Sequence, residues 1–75
     1  MTELDIEPVH PKEFRKIHGC SIWQMHLWSG YSVDTLKNWL SDESSKRHEQ
    51  PKRGVLYHFG ALHKLISNGK IFFPH

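Results

Sequence analysis

Apolar residues in this chain recur at helical spacing, in short runs broken by proline, glycine and serine. A first helix can start at Pro11, where the missing N–H is harmless. Phe14 and Ile17 then fall on one face, and Gly19 is a natural stop. Ser21 opens a second helix, because its side chain can cap the third amide on while Gln24 reaches back, the capping-box arrangement. That helix, Ile22–Ser29, ends at Gly30. Ser32 caps a third, with Asp34 well placed near the positive end of its dipole. Leu36, Trp39 and Leu40 follow at i, i+3 and i+4, the spacing of a core-facing stripe. Residues 41–54 are polar, charged and interrupted by Pro51, which predicts a loop. A last helix runs from about Pro51 or Gly54 to Asn68. It keeps period through Leu56, Phe59, Leu62 or His63, and Leu65 or Ile66, and Asn68-Gly69 ends it. The expected fold is all-α, with four or five short helices. Residues 1–10 form an arm that Pro8 and Pro11 keep out of helix, residues 11–70 the domain, and residues 71–75 a tail. The apolar tail residues Ile71-Phe72-Phe73 either fold back on the core or meet a second chain.

Length limits how such a fold is held together. A chain of 75 residues buries only about 60% of the surface its unfolded form exposes, so its core needs reinforcement. The single cysteine, Cys20, excludes an internal disulfide and suits a reducing compartment. Three tryptophans, four phenylalanines and two tyrosines supply the alternative, since each large ring buries roughly 150–250 Å². No apolar run reaches the roughly 18 residues that a membrane span needs. The acidic N-terminus lacks the basic-then-apolar layout of a secretory signal, so a cytoplasmic protein is expected. Net charge is only +2, but it is unevenly spread. Glu3, Asp5 and Glu7 open the chain without a base, whereas Lys46, Arg47, Lys52 and Arg53 cluster after the third helix.

Residues 22–41, IWQMHLWSGYSVDTLKNWLS, contain the informative pattern. Glycine suits a tight turn because a left-handed backbone costs it nothing, and Gly30-Tyr31-Ser32 supplies glycine, a hydrophobic plug and a cap in sequence. This stretch resembles the helix-turn-helix of phage-repressor-like DNA-binding proteins, with Met25, Leu36 and Trp39 at the buried positions. The resemblance implies sequence-specific binding of double-stranded DNA, in the manner of a small bacterial or phage-type transcriptional regulator. In such proteins the second helix of the motif enters the major groove. The base-reading candidates it implies are Ser32, Val33, Asp34, Thr35, Lys37, Asn38 and Ser41. Asn38 can pair with adenine, Lys37 with guanine or a phosphate, and Val33 or the Thr35 methyl with a thymine methyl. Lys46, Arg47, Lys52 and Arg53 become candidates for the backbone phosphates, and a homodimer on a two-fold operator is expected. The pattern departs at His26, where a small residue normally allows the helices to cross closely. Either the crossing is wider, or the imidazole runs along the groove between the helices, or the register shifts.

Other chemistry finds less support. Seven histidines are present, but His58 and His63 are five apart, whereas a helical metal pair needs i, i+3 or i+4. Neither a metal nor a cofactor is expected. Cys20 beside His18 and His26 reads as a small packing residue rather than a nucleophile, and no triad or phosphate loop accompanies it, so no enzymatic activity is expected. Trp23 and Trp28 are five apart and cannot both face one core. They suggest a second function class: a helical protein–protein interaction module using Trp23, Trp28 and the Ile71-Phe72-Phe73 tail. Placement of charge separates the two classes. Lys37, Lys46, Arg47, Lys52 and Arg53 sharing one face with the third helix would favour DNA binding; an apolar or acidic face there would favour the interaction module.

Overall fold

The structure, a computed structural model, describes residues 6–69. The apolar tail residues Ile71-Phe72-Phe73, expected to meet the core or a second chain, lie outside them. Among the described residues there are four α-helices and no strand: α1 (Pro11–His18), α2 (Ile22–Ser29), α3 (Val33–Leu40) and α4 (Arg53–Ser67). None is long and apolar enough to cross a membrane.

Local chemistry sets the boundaries. Helix α1 begins on Pro11 and is capped by His10, whose Nδ1 accepts the Lys12 N–H at 3.0 Å. It stops at Gly19, whose φ of 60° lies in the left-handed region. The capping box of α2 is complete, with Ser21 Oγ accepting the Gln24 N–H and Gln24 Oε1 accepting the Ser21 N–H. Gly30 ends α2 at φ 82°, and Ser32 caps α3 by accepting the Thr35 N–H at 3.1 Å. Both glycines stand where a side chain would be strained.

The first three helices and α4 enclose one aromatic core. Phe14, Met25, Leu36 and Phe59 are fully buried, and Cys20 and Trp39 nearly so. Phe14 joins three elements, with Phe59 of α4 at 5.2 Å and Trp28 of α2 at 6.2 Å between ring centroids. Edge-to-face pairs of this kind contribute about 0.5–1.5 kcal/mol beyond the area they bury. Helix α3 packs on α2 and α1, and α4 packs on α1 and α2.

Two expectations need correction or sharpening. Ile17 does not share the buried face with Phe14; it is 53% exposed. His18, a full turn after Phe14, holds the inner position, its ring 4.7 Å away. On α4, Ile66 packs on the core and Leu65 points out.

The arm is a packed element rather than a free end from residue 6 onward. The Val9 N–H donates to the Leu56 carbonyl at 2.9 Å. The Glu7 carbonyl then passes so close to Gly60 that a Cβ there would collide with it. Gly60 is buried in the middle of α4, where glycine is otherwise unfavourable by about 1 kcal/mol. Gly54, in the first turn of the same helix, faces open space.

One substitution should therefore have opposite effects at two sites. Gly54→Ala should raise stability by up to about 1 kcal/mol through helix propensity. Gly60→Ala should lower it, because backbone and not a flexible side-chain end must move. Thermal melts of the two variants against the parent read the signs. A Gly60→Ala protein as stable as Gly54→Ala would show that the arm does not press on α4.

Candidate nucleic-acid interface

Helices α2 and α3 meet across Gly30, Tyr31 and Ser32, and each of these residues is held. The Gly30 N–H donates to the His26 carbonyl at 3.0 Å. The Tyr31 N–H donates to Ser29 Oγ, which itself donates to the Met25 carbonyl. The Tyr31 ring packs edge-on to Trp39 at 4.9 Å and stacks against Phe59 at 6.0 Å. His26, which stands where a small residue was expected, closes the turn. Its Nδ1–H donates to the Tyr31 carbonyl at 2.7 Å, and its ring lies 5.0 Å from that of Trp23. The imidazole therefore reaches from α2 over to the turn and satisfies a carbonyl there.

Helix α3 turns Leu36 and Trp39 inward and leaves a polar outer face. Asp34 and Lys37 are exposed and carry no hydrogen bond from another side chain. The Ser32 hydroxyl is exposed too, but it is committed to the cap and donates to Thr35 Oγ1 at 2.9 Å. Val33 and Thr35 are half-buried. Ser41 ends the helix, its Oγ donating to the Asn38 carbonyl at 2.9 Å.

Asn38 has partners that its spacing in the sequence does not reveal. Arg47 Nε donates to Asn38 Oδ1 at 3.1 Å, and Asn38 Nδ2 donates to Glu49 Oε1 at 3.1 Å. The Glu49 N–H adds a bond to the Asn38 carbonyl. Alongside, His48 Nδ1–H donates to the Ser41 carbonyl at 3.0 Å. The loop after α3 thus folds back on the helix end and places Arg47 on its outer face. Glu49 and His48 were not among the expected site residues. A loop eleven positions downstream leaves no periodic signal.

The other basic residues are spread along the same connection. Lys46 is exposed in the loop. Lys52 and Arg53 stand at the start of α4, and no hydrogen bond or ring contact joins them to α3; Arg53 instead lies over the Tyr57 ring at 5.5 Å. The start of α4 has no side-chain cap and no acidic residue in its first turn. Two cations at the positive end of a helix dipole each cost roughly 0.3–1 kcal/mol; the Tyr57 ring offsets this for Arg53, whereas Lys52 has no such contact among the described residues.

Burial pushes the Cys20 thiol up, away from the nucleophilic thiolate. No group of three or more histidine, cysteine, aspartate or glutamate side chains converges among the described residues. Comparison with protein families, with curated proteins and with solved structures finds no match to this chain.

Two histidines tie stability to pH. Burial, followed by the charge of Lys12, holds the His10 imidazole below the ordinary histidine range. Burial, followed by His63, does the same for His18, which shares a proton contact of 2.9 Å between its Nε2 and His63 Nδ1. Protonating His10 removes the acceptor that caps α1; protonating both rings of the other pair leaves two donors facing each other. The unfolded chain titrates near 6.5 and takes up protons that the folded chain resists. Stability is then complete above about pH 6.5 and falls as pH drops through the lowered values. Melting temperature should decline between pH 7.5 and 5. A variant with His10→Asn, which keeps a cap, and His18→Gln should show a flatter decline. An equally steep decline in that variant would clear these two residues of the effect.

Proposed function

We propose that this chain is a DNA-binding module, acting as a small bacterial or phage-type transcriptional regulator, in which α2, the Gly30-Tyr31-Ser32 turn and α3 work as a helix-turn-helix. The carrying observation is the outer face of α3. It is polar, carries Lys37 and Asn38, and receives Arg47 from the following loop. An α3 placed in the major groove would present Ser32, Val33, Asp34, Thr35 and Lys37 to base edges. Asn38 would join them after exchanging Arg47 and Glu49 for a base, and Ser41 would sit at the groove edge. Lys46 and Arg47 supply phosphate contacts next to α3. Lys52 and Arg53 supply a further one, where a phosphate would meet both their charge and the uncapped amides of α4. The unfavourable placement of Lys52 in the free chain, at an uncapped helix start, supports that role.

A second reading, a protein-interaction module or the contact of a homodimer, rests on Trp23 and Leu27. They lie one turn apart on α2 and are 60% and 50% exposed. Trp28, by contrast, packs on the core.

Selection from random duplex DNA tests the first reading: an enriched motif is expected, and its absence would leave the second. Lys52→Asp supplies a sharper test. A cap and a favourable dipole partner should raise stability by about 0.5–1 kcal/mol, while duplex affinity falls because a phosphate contact becomes a repulsion. Binding that is unchanged in the stabilised variant would remove the start of α4 from the interface.

At the readout face, Asn38→Ala and Lys37→Ala should each lose about 1–3 kcal/mol of affinity for the selected site and little for random DNA in the Asn38 case. Arg47→Ala with Arg53→Ala should instead flatten the salt dependence, by about 0.9 in slope per lost phosphate contact. Titration of each variant against selected and random duplexes distinguishes the two behaviours. Asn38→Ala and Lys37→Ala proteins that bind the selected site like the parent would end the base-reading assignment.

A further inference from the structure

Helix α1 carries a second basic surface. Lys12, Arg15 and Lys16 stand at i, i+3 and i+4, so they share one face. With Gly19, Cys20 and Leu40 they line a single open depression. Leu40 is the last residue of α3, so this depression lies where α1 meets the C-terminal end of the proposed recognition helix. All three cations are exposed, and none pairs with a carboxylate among the described residues. No acidic residue among the described ones lines the depression. Glu13 and Glu43 line its neighbour instead, together with Lys12, Lys16, His10 and His48. Arg15 is also aimed. Its Nε donates to the Cys20 carbonyl at 3.3 Å, which orients the guanidinium fork and leaves its terminal nitrogens for an acceptor outside the chain. Helix-dipole stabilisation accounts for cations in the last turn of α1, where Arg15 and Lys16 lie. It does not account for Lys12 in the first turn.

The geometry points to a second backbone-contact site, in which Lys12, Arg15 and Lys16 bind DNA phosphates flanking the C-terminal end of α3. The inference rests on the DNA-binding reading of α3 and extends it to α1. An open depression suits a strand running past it, whereas a small free anion is better held in an enclosed pocket with buried donors. An arginine fork and two flexible ammonium groups match successive phosphates along such a strand.

The test is a salt titration of random-sequence duplex binding with the full chain carrying Lys12→Gln and Lys16→Gln. Both positions are exposed and glutamine is a comparable helix former, and Arg15 keeps its tether. A melting curve matching the parent's checks that the fold is intact. The slope of log affinity against log salt should fall by about 1.8, which corresponds to a roughly 10- to 100-fold weaker complex near 0.1 M salt. Preference for the selected site over random DNA should be unchanged, because phosphates carry no sequence information. Lys12→Arg with Lys16→Arg should restore both slope and affinity. If the parent binds duplex DNA and the glutamine variant keeps its slope, the α1 site is overturned while the α3 reading survives. A loss that arginine does not restore would equally overturn it. A parent chain that binds no duplex overturns both.

Discussion

The fold depends on the seating of Tyr31. Its ring occupies the angle between α3 and α4 through Trp39 and Phe59, while its carbonyl is held by His26 of α2. One residue thereby fixes α2 against α3 and both against the long helix. Neither eight-residue helix is stable in isolation, because helices shorter than about 12–15 residues are marginal in water. Their persistence comes from caps and from the burial of a few aromatic rings around this turn. Trp39, nearly buried beside Tyr31, belongs to the same cluster. Truncating such a residue costs about 3–5 kcal/mol, a large part of the total stability of a domain this small.

Much of the architecture was legible in the sequence because its punctuation is local. Ser21 with Gln24, Ser32, and the glycines at 19 and 30 each act within a turn of the helix they bound, and the end of α1, both ends of α2 and the start of α3 fall where they stand. The core stripe of α3 was legible for the same reason. Ile17 was misplaced because hydrophobicity alone assigned it inward, whereas His18 gains the inner site by pairing with Phe14 and His63. What spacing could not reveal is non-local. The Glu7 backbone fits over Gly60, and Arg47 and Glu49 return to Asn38. Lys12, Arg15 and Lys16 acquire a shared surface only once Leu40 and the Gly19 turn are placed beside them. The candidate site was thus legible in its residue types and in the exposure of Lys37 and Asp34, but not in which side chains are already engaged.

Charge is distributed here in a way that does little for the free fold. Lys52 and Arg53 oppose the dipole of α4, and the cations of α1 have no carboxylate partner among the described residues. Surface ion pairs are worth little in any case, with a median of about 0–1 kcal/mol, so their scarcity does not threaten stability. It does leave several cations available to an external polyanion. Histidines take over roles that charged pairs often fill, capping α1, closing the turn at Tyr31 and bridging α1 to α4. The cap from His10 and the bridge from His18 to His63 each use an unprotonated ring nitrogen as acceptor. The scaffold is therefore sensitive to acid even though its core is apolar.

The clasp on Asn38 has a consequence for selectivity. Arg47 donates to the amide oxygen and Glu49 accepts from the amide nitrogen. An adenine edge in the major groove offers that same complementary pair, a donor at N6 and an acceptor at N7. In the free chain the loop thus acts as an internal imitation of a base. On the DNA-binding reading, adenine and the loop compete for one amide, and apparent affinity scales with the fraction of molecules in which the loop has let go. Binding to random duplex, which asks nothing of Asn38, leaves the clasp closed. Arg47 would then change roles with the sequence encountered, covering the reader on unspecific DNA and turning to a phosphate when the reader is engaged. Discrimination would reside partly in a loop that need not touch a base.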